Sequence, residues 1–357
     1  MKNIKASDLL YLFLCGVILW YLYESIVFSK EIIDGVSQCI IRIINVVFPS
    51  LFGFMAVCQI LVKSGLLNVL SKLFKPVSKY IFRLPEKLFS VYLLSCIGGY
   101  PVGVNMLSEL VKDNVISKDT ASRVSPFFYC ISPSFAVGLV GFGIFNNVKT
   151  GIIVYLSCLI TNTTALFIYS HIYKFRCNNT KAEIKFNSQI LVDSVTSSGK
   201  SMLVISAMII FFSYFIILLD CLKFYDIIKL QNMPAILKSL IEITYLSELS
   251  ADLRFLPVIS GIVSSGGLCI LLQSVCIVNN AFSLKRLFLM RLPLSLVSYL
   301  VCFLIIRYIC VDIEVLSYAI SHKKSTELNI LSLICLFFMI ILIFFRKKNC
   351  NLQKSML

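Results

Sequence analysis

Long apolar runs recur along this 357-residue chain, and several are cut near their middle by glycine and proline. A helix needs about 20 consecutive apolar residues to cross a hydrocarbon core. In lipid every backbone N–H and C=O must find a partner, so a break inside such a run persists only where it is buried in protein or lines a polar cavity. The pattern calls for an all-α polytopic membrane protein with interrupted helices. Composition agrees, with 58% of residues hydrophobic and 14% charged, against roughly a quarter charged in a soluble domain. A disordered chain needs low hydrophobicity. Fifteen glycines and nine prolines are too few for a collagen-like or low-complexity chain. An outer-membrane barrel would show short alternating segments instead.

The formal charge is +15, from 33 Lys+Arg against 18 Asp+Glu. In a soluble domain that excess would point to nucleic acid. Here the basic residues lie mainly in loops between apolar runs, where the positive-inside bias puts them, and no nucleic-acid partner is expected. The 14 cysteines contain no C-x-x-C pair. Cys58, Cys96, Cys130, Cys158, Cys269 and Cys302 lie inside apolar runs and read as small buried residues rather than as a disulfide frame or a zinc site. The two histidines, His171 and His322, stand at the ends of apolar runs, so neither a metal site nor a cofactor is expected. There is no phosphate loop, no G-x-S-x-G elbow and no H-E-x-x-H. A serine–histidine dyad is hard to build from peripheral histidines, and aspartates for an intramembrane protease are missing. The chain reads as a non-enzyme.

Lys2 and Lys5 precede an apolar run from Leu9 to Phe28. No small-x-small cleavage site follows, and the run holds Tyr11, Trp20, Tyr21 and Tyr23, so it reads as a first span with a cytoplasmic N-terminus. Ile40 to Val62 is a second span, broken early at Phe48-Pro49-Ser50. The basic stretch 63–87 carries leucines at helical spacing and reads as an amphipathic helix in the interface. Leu88 to Leu110, cut by Gly98-Gly99-Tyr100-Pro101-Val102-Gly103, reads as a re-entrant hairpin. Ser117-Lys118-Asp119 can open a short helix. Ser125 to Phe145 is interrupted at Ser132-Pro133-Ser134, and Gly151 to Tyr173 spans again. Lys174 to Gly199 reads as a basic cytoplasmic loop. The second half offers a span at Met202–Leu219, an amphipathic stretch at Leu222–Leu240 and an acid-bearing hairpin at Ile241–Leu253. An interrupted run at Phe255–Val278 follows, then spans at Leu287–Ile306 and Leu328–Phe345.

The expected architecture is about eight spans plus re-entrant hairpins, with both termini cytoplasmic. Its parts are an N-terminal span and loop (1–38), a first repeat (39–173), a basic loop (174–199), a second repeat (200–308) and a C-terminal span with a basic tail (309–357). Each half repeats the order span, amphipathic helix, hairpin, broken span, plain span. The two hairpins enter from opposite sides, which makes an inverted-topology repeat of the kind secondary transporters use.

Helices stopped at mid-membrane present unpaired N–H or C=O groups, and the N-terminal tips carry about half a positive charge, which suits carboxylates. Substrate-binding candidates in the first half are Gly98, Gly99, Tyr100, Pro101, Gly103, Asn105, Ser132 and Ser134. In the second half they are Thr244, Ser265, Gly266, Gly267 and Gln273. Glu242, ionisable at membrane depth, is the candidate for coupling to a proton or sodium ion. Each has a structural alternative: glycines let helices approach closely, and serines back-bond to their own helix. Glu109 is a weaker candidate, with Lys112 three residues on.

At these residues the chain resembles the YlbJ-like sporulation integral membrane proteins of the nucleoside-recognition, or Gate, group. The likeness rests on Phe48-Pro-Ser-Leu-Phe, Gly98-Gly-Tyr-Pro-Val-Gly with Ser108-Glu109-Leu110, then Glu242-Ile-Thr244, Ser265-Gly-Gly-Leu268 and Gln273, in that order. The resemblance covers roughly residues 40–310. It implies a fold similar to concentrative nucleoside transporters and a role in spore formation. It further implies movement of dipicolinate, a small organic anion, across the outer forespore membrane. In place of the family's Cys-Asn-Asn-Ser-Gly-Pro-like stretch this chain has Tyr129-Cys-Ile-Ser-Pro-Ser134, lacking both asparagines. The expected function is secondary transport of such an anion. A nucleoside or other neutral-solute transporter of the same fold, and a non-transporting membrane scaffold, are the alternatives.

Overall fold

The computed structural model describes residues 6–178, 187–227 and 232–309. The expected span at Leu328–Phe345 and the basic tail lie outside the described residues, as does Lys229 of the amphipathic stretch. Helix α1 (Ala6–Val27) is followed by α2 (Ser29–Arg42), which runs through a π-helical turn, Ile43–Val47, into α3 (Phe48–Lys63). Pro49 therefore does not break the second apolar run. Lacking an N–H, it leaves a carbonyl of the preceding turn unpaired, and the helix absorbs this by widening that turn. The real break comes at Gly65, which has φ +76°. There α4 (Leu67–Leu73) turns off at 90° from α3. The stretch expected as one amphipathic helix is thus α4 followed by a second π-helical segment, Val77–Phe82.

Helices α5 (Glu86–Gly98) and α6 (Tyr100–Lys112) are separated by one residue, Gly99, with φ +93°. The arms fold back on each other. Lys87 at the start of α5 and Leu110 and Asp113 at the end of α6 line one cleft, so both arms return to the same side. Ser117 accepts a hydrogen bond from Thr120 N at 3.1 Å and opens α7 (Lys118–Val124), as its place in the sequence predicts. Residues 125–132 are then non-helical and almost wholly buried. Ser132 caps α8 (Pro133–Phe135), which continues as π-helix to Ile144, and α9 (Val148–Ile172) follows.

Helix α10 (Ser188–Cys221) is 34 residues long and begins well inside the segment that reads as a loop. Its first turns are polar but helix-compatible. Asn187 caps Ile190 N at 2.9 Å, and Ser194 and Ser201 bond back to the carbonyls of Ile190 and Ser197. α10 runs antiparallel to α2 and α3, as the Cys39–Ser213 and Lys63–Asp193 contacts show. After α11 (Met233–Ile241) come the 3₁₀ turns Ile243–Glu248 and Leu253–Phe255, then α12 (Leu256–Ser265), α13 (Gly267–Val278) and α14 (Lys285–Ile309). Lys238, in the stretch expected to be amphipathic, is buried between Asp220 (2.7 Å) and Glu248 (3.0 Å). Its charge is neutralised locally and carries little topological weight.

Every described element is a helix or helical turn. Among the described residues four segments are long and apolar enough to cross a membrane: Val148–Ile172, Ser188–Cys221, Leu253–Val278 and Lys285–Tyr308. The bent pair α3–α4 would make a fifth. Helix α14 shows the inverted pattern of a lipid-facing helix. Leu289, Leu292 and Leu296 are exposed, while Arg291 and Ser298 are buried. This is an all-α membrane protein, and among the described residues four or five segments, rather than seven of the eight expected, meet the length and composition of a span.

Candidate functional site

The tip of the α5–α6 hairpin meets the start of α8. A Cβ on Gly99 would lie 3.2 Å from Ser132 Cβ, so the first hairpin and the first broken segment touch at their breaks. From the second half, Glu242 and Thr244 at the start of the 3₁₀ turn and Gln273 on α13 face the same place. Together with Tyr100 and Pro101 they enclose a cavity whose remaining walls are Val47, Leu51, Phe135, Ile205, Ile209, Ile243 and Ile270. Two helix N-termini, those of α6 and α8, open onto it. The walls are apolar with a few convergent polar groups, the usual make-up of a small-molecule site. The cavity measures about 30 Å³, against roughly 300–1,000 Å³ for a typical ligand pocket. It holds a water molecule or two, so a ring compound enters only if the walls part.

Glu242 is buried at 1% exposure. Its Oε1 accepts from Thr244 N at 3.0 Å. Its Oε2 has no hydrogen-bond partner; beside it lies the Cys269 thiol, a weak donor at best. Gln273 Nε2 donates to the same sulfur at 3.1 Å. Thr244 Oγ1 accepts from Arg42 Nη1 at 3.0 Å, and that guanidinium lies 5.5 Å from the centre of the Tyr245 ring. Arg42 did not stand out in the sequence because it sits at the edge of an apolar run among ordinary basic residues.

Of the other residues singled out from the sequence, none lines the cavity. Gly98 ends α5 with Val102 over it, and Gly103 lies against the Phe128 carbonyl and Ser95. Asn105 is buried on α6. Ser134 is exposed, with its hydroxyl 3.3 Å from that of Ser132. Ser265 bonds back to Ile262 O at 2.6 Å and accepts from Gly267 N at 3.4 Å, a local turn role. Gly266 and Gly267 have φ +80° and +67°. They turn α12 into α13, with the Tyr129 ring against Gly266 and the last carbonyls of α11 near Gly267.

Tyr100 does two things. Its ring lines the cavity, and its hydroxyl donates to Val263 O in α12 at 2.5 Å. Tyr100→Phe removes that tie between the hairpin tip and the second half. It is expected to cost about 0.5–1.5 kcal/mol of stability, measured as a lower melting temperature of the purified protein in detergent. An unchanged melting temperature would show the bond to be dispensable.

Residues 44–162 match the family described as Gate, nucleoside recognition. That stretch contains α3 to α6, the Ser132 break and most of α9. The sporulation integral membrane protein YlbJ of Bacillus subtilis (strain 168) is 28% identical over 215 residues, 54% of this chain and 52% of that protein. The chain thus spans about half the length of the curated relative it matches. No solved structure matches it. The chain is thus similar to the Gate family over residues 44–162 and to YlbJ over about half its length.

Proposed function

We propose that this protein is a secondary transporter of a small organic anion, with dipicolinate during spore formation as the leading substrate. The observation that carries the reading is the convergence of the α6 and α8 N-termini and the Glu242 carboxylate on one small, apolar-walled cavity. Helix N-termini favour anionic groups. Glu242 Oε2, lacking a partner, is the place for a coupling proton or sodium ion, and a proton there would relieve repulsion with a carboxylate substrate. The relative's name supplies the sporulation context.

The fold elements fit alternating access. Each half carries a helix break at a positive-φ glycine, Gly99 between the arms of a hairpin and Gly266 within the through-going Leu253–Val278 segment. The arrangement proposed is an inverted repeat in which the α5–α6 hairpin is re-entrant. With the basic stretch 63–87 inside, the arrangement proposed has both termini cytoplasmic. The protein would then lie in the cell membrane, in the outer forespore membrane if the sporulation role holds. Because the cavity is small, at about 30 Å³, loading requires the hairpin to move against the Glu242–Thr244 wall. The description of the Gate family favours a second substrate class, nucleosides.

The test is dipicolinate accumulation in spores of a strain lacking this gene. Spores that lack dipicolinate while the mother cell still makes it, and that refill when the gene is restored, are expected. Spores that fill normally without the gene overturn the substrate. A defect in spore assembly that precedes dipicolinate loading would turn the reading towards a scaffold.

A further inference from the structure

The most unusual polar group in the described structure lies behind the cavity. Arg291, in the second turn of α14, is 2% exposed. Among the described residues no carboxylate pairs with it. Its Nη1 donates to Tyr129 O at 3.0 Å and Ser264 O at 3.1 Å. Its Nη2 donates to Pro126 O, and to Asn162 Oδ1 at 3.4 Å. Its Nε has no partner, nor do the buried Tyr129 and Ser264 hydroxyls beside it. The carbonyls explain how the cation is held. Pro126 and Tyr129 belong to the buried non-helical strip, and Ser264 O lies at the negative C-terminal end of α12. They do not neutralise it, and a buried charge without a counter-charge is costly.

The charge is close enough to act on the cavity. The guanidinium lies 4.9 Å from the Tyr129 ring centre, and that ring lies 4.8 Å from the ring of Tyr100, which lines the cavity. Arg291 is therefore within about 10 Å of the Tyr100 ring by way of two aromatic rings. Arg42 in turn donates to Thr244 Oγ1, whose backbone N–H donates to Glu242. Two guanidinium groups thus stand against one carboxylate. We propose that Arg291 is the specificity-determining charge of this cavity, the fixed positive centre that makes it select carboxylate anions over neutral rings of the same shape. The inference rests on the anion-transport reading and names the residue that would enforce it. A unit charge about 10 Å away, at an effective dielectric of about 20, changes affinity by roughly tenfold per ligand charge.

The test uses the purified full-length protein and calorimetric titration with three probes: pyridine-2,6-dicarboxylate, its neutral analogue pyridine-2,6-dicarboxamide, and uridine. The variants are Arg291→Gln, Arg291→Lys and Asn162→Asp. The last keeps the guanidinium and places an anion next to it, so it neutralises the centre even if Arg291→Gln does not fold. Arg291→Gln and Asn162→Asp are expected to weaken dicarboxylate binding by about tenfold or more while leaving the diamide within a factor of two or so. Arg291→Lys should keep most of the preference. If the wild type binds dicarboxylate and the neutralised variants lose both pyridine probes equally, or lose neither, the assignment to Arg291 fails and the anion reading survives. If the wild type binds uridine and no dicarboxylate, or none of the three, the anion reading fails and takes this role with it.

Discussion

Replacing Gly103 by alanine is expected to collapse the amount of folded protein, far beyond what alanine does at other glycines here. A Cβ at Gly103 would coincide with the backbone carbonyl of Phe128 and lie 2.6 Å from Ser95 Cβ. The first obstacle is backbone in the buried strip 125–132, and the second is the other arm of the hairpin. Neither can yield without moving the Ser132 break away from Gly99. Overpacking of a rigid core costs about 1–3 kcal/mol and occasionally more, and this site belongs at the upper end. At Gly98 the added Cβ would meet the Val102 side chain, 2.8 Å away, so Gly98→Ala should cost less. Gly53, inside α3, has nothing within 4 Å, and alanine there should be neutral or stabilising by about 0.5–1 kcal/mol through helix propensity. Fluorescence-detected size exclusion and thermal melting of the three variants give the ranking. Equal behaviour of Gly103→Ala and Gly53→Ala would refute the close packing of hairpin and strip.

That ranking also marks what could be read from the residues alone. The cluster Gly98–Gly103 announced a break, because three glycines and a proline have no place inside a spanning helix. It did not announce that the glycines do different jobs. Gly99 makes the turn through its positive φ, whereas Gly103 only clears a path for another segment's backbone. That segment is 25 residues away in sequence, and no local pattern encodes the approach. Seven singled-out residues, Gly99, Tyr100, Pro101, Ser132, Glu242, Thr244 and Gln273, share one cavity, because breaks in buried helices have few places to go except against one another. The polar start of α10 read as a loop because hydroxyl residues look hydrophilic in a sequence, although in a helix they can return their hydrogen bonds to the preceding turn. Arg291 was passed over for the opposite reason. It lies just inside an apolar run whose outer face is leucine-rich, and averaged hydropathy hides a single charge. An arginine five residues past Arg286 reads as part of a basic flank until its burial is known.

The largest functional effect is expected at Glu242. Glutamine has the same length and volume and keeps an acceptor for Thr244 N, so Glu242→Gln should fold and reach the membrane with a stability change within about 1 kcal/mol. What it cannot do is take up and release a proton or hold a cation at Oε2, a buried carboxylate oxygen with no hydrogen-bond partner among the described residues. Coupling free energies between two ligands are typically about 1–3 kcal/mol, or about 5–150-fold in affinity. In proteoliposomes carrying a proton gradient, uptake of pyridine-2,6-dicarboxylate should fall by roughly tenfold to a hundredfold, and the response to the gradient should disappear. Substrate-for-substrate exchange, which needs no net coupling, should fall much less. That split separates a coupling residue from a merely structural one, since misassembly would depress both modes together. Glu242→Asp retains the titrating group one methylene back and should restore part of the gradient response. Gradient-driven uptake at the wild-type rate in Glu242→Gln would remove Glu242 from the coupling path. The buried, half-satisfied carboxylate would then have to be explained by the cap it gives to Thr244 alone, at the desolvation cost such a role would carry.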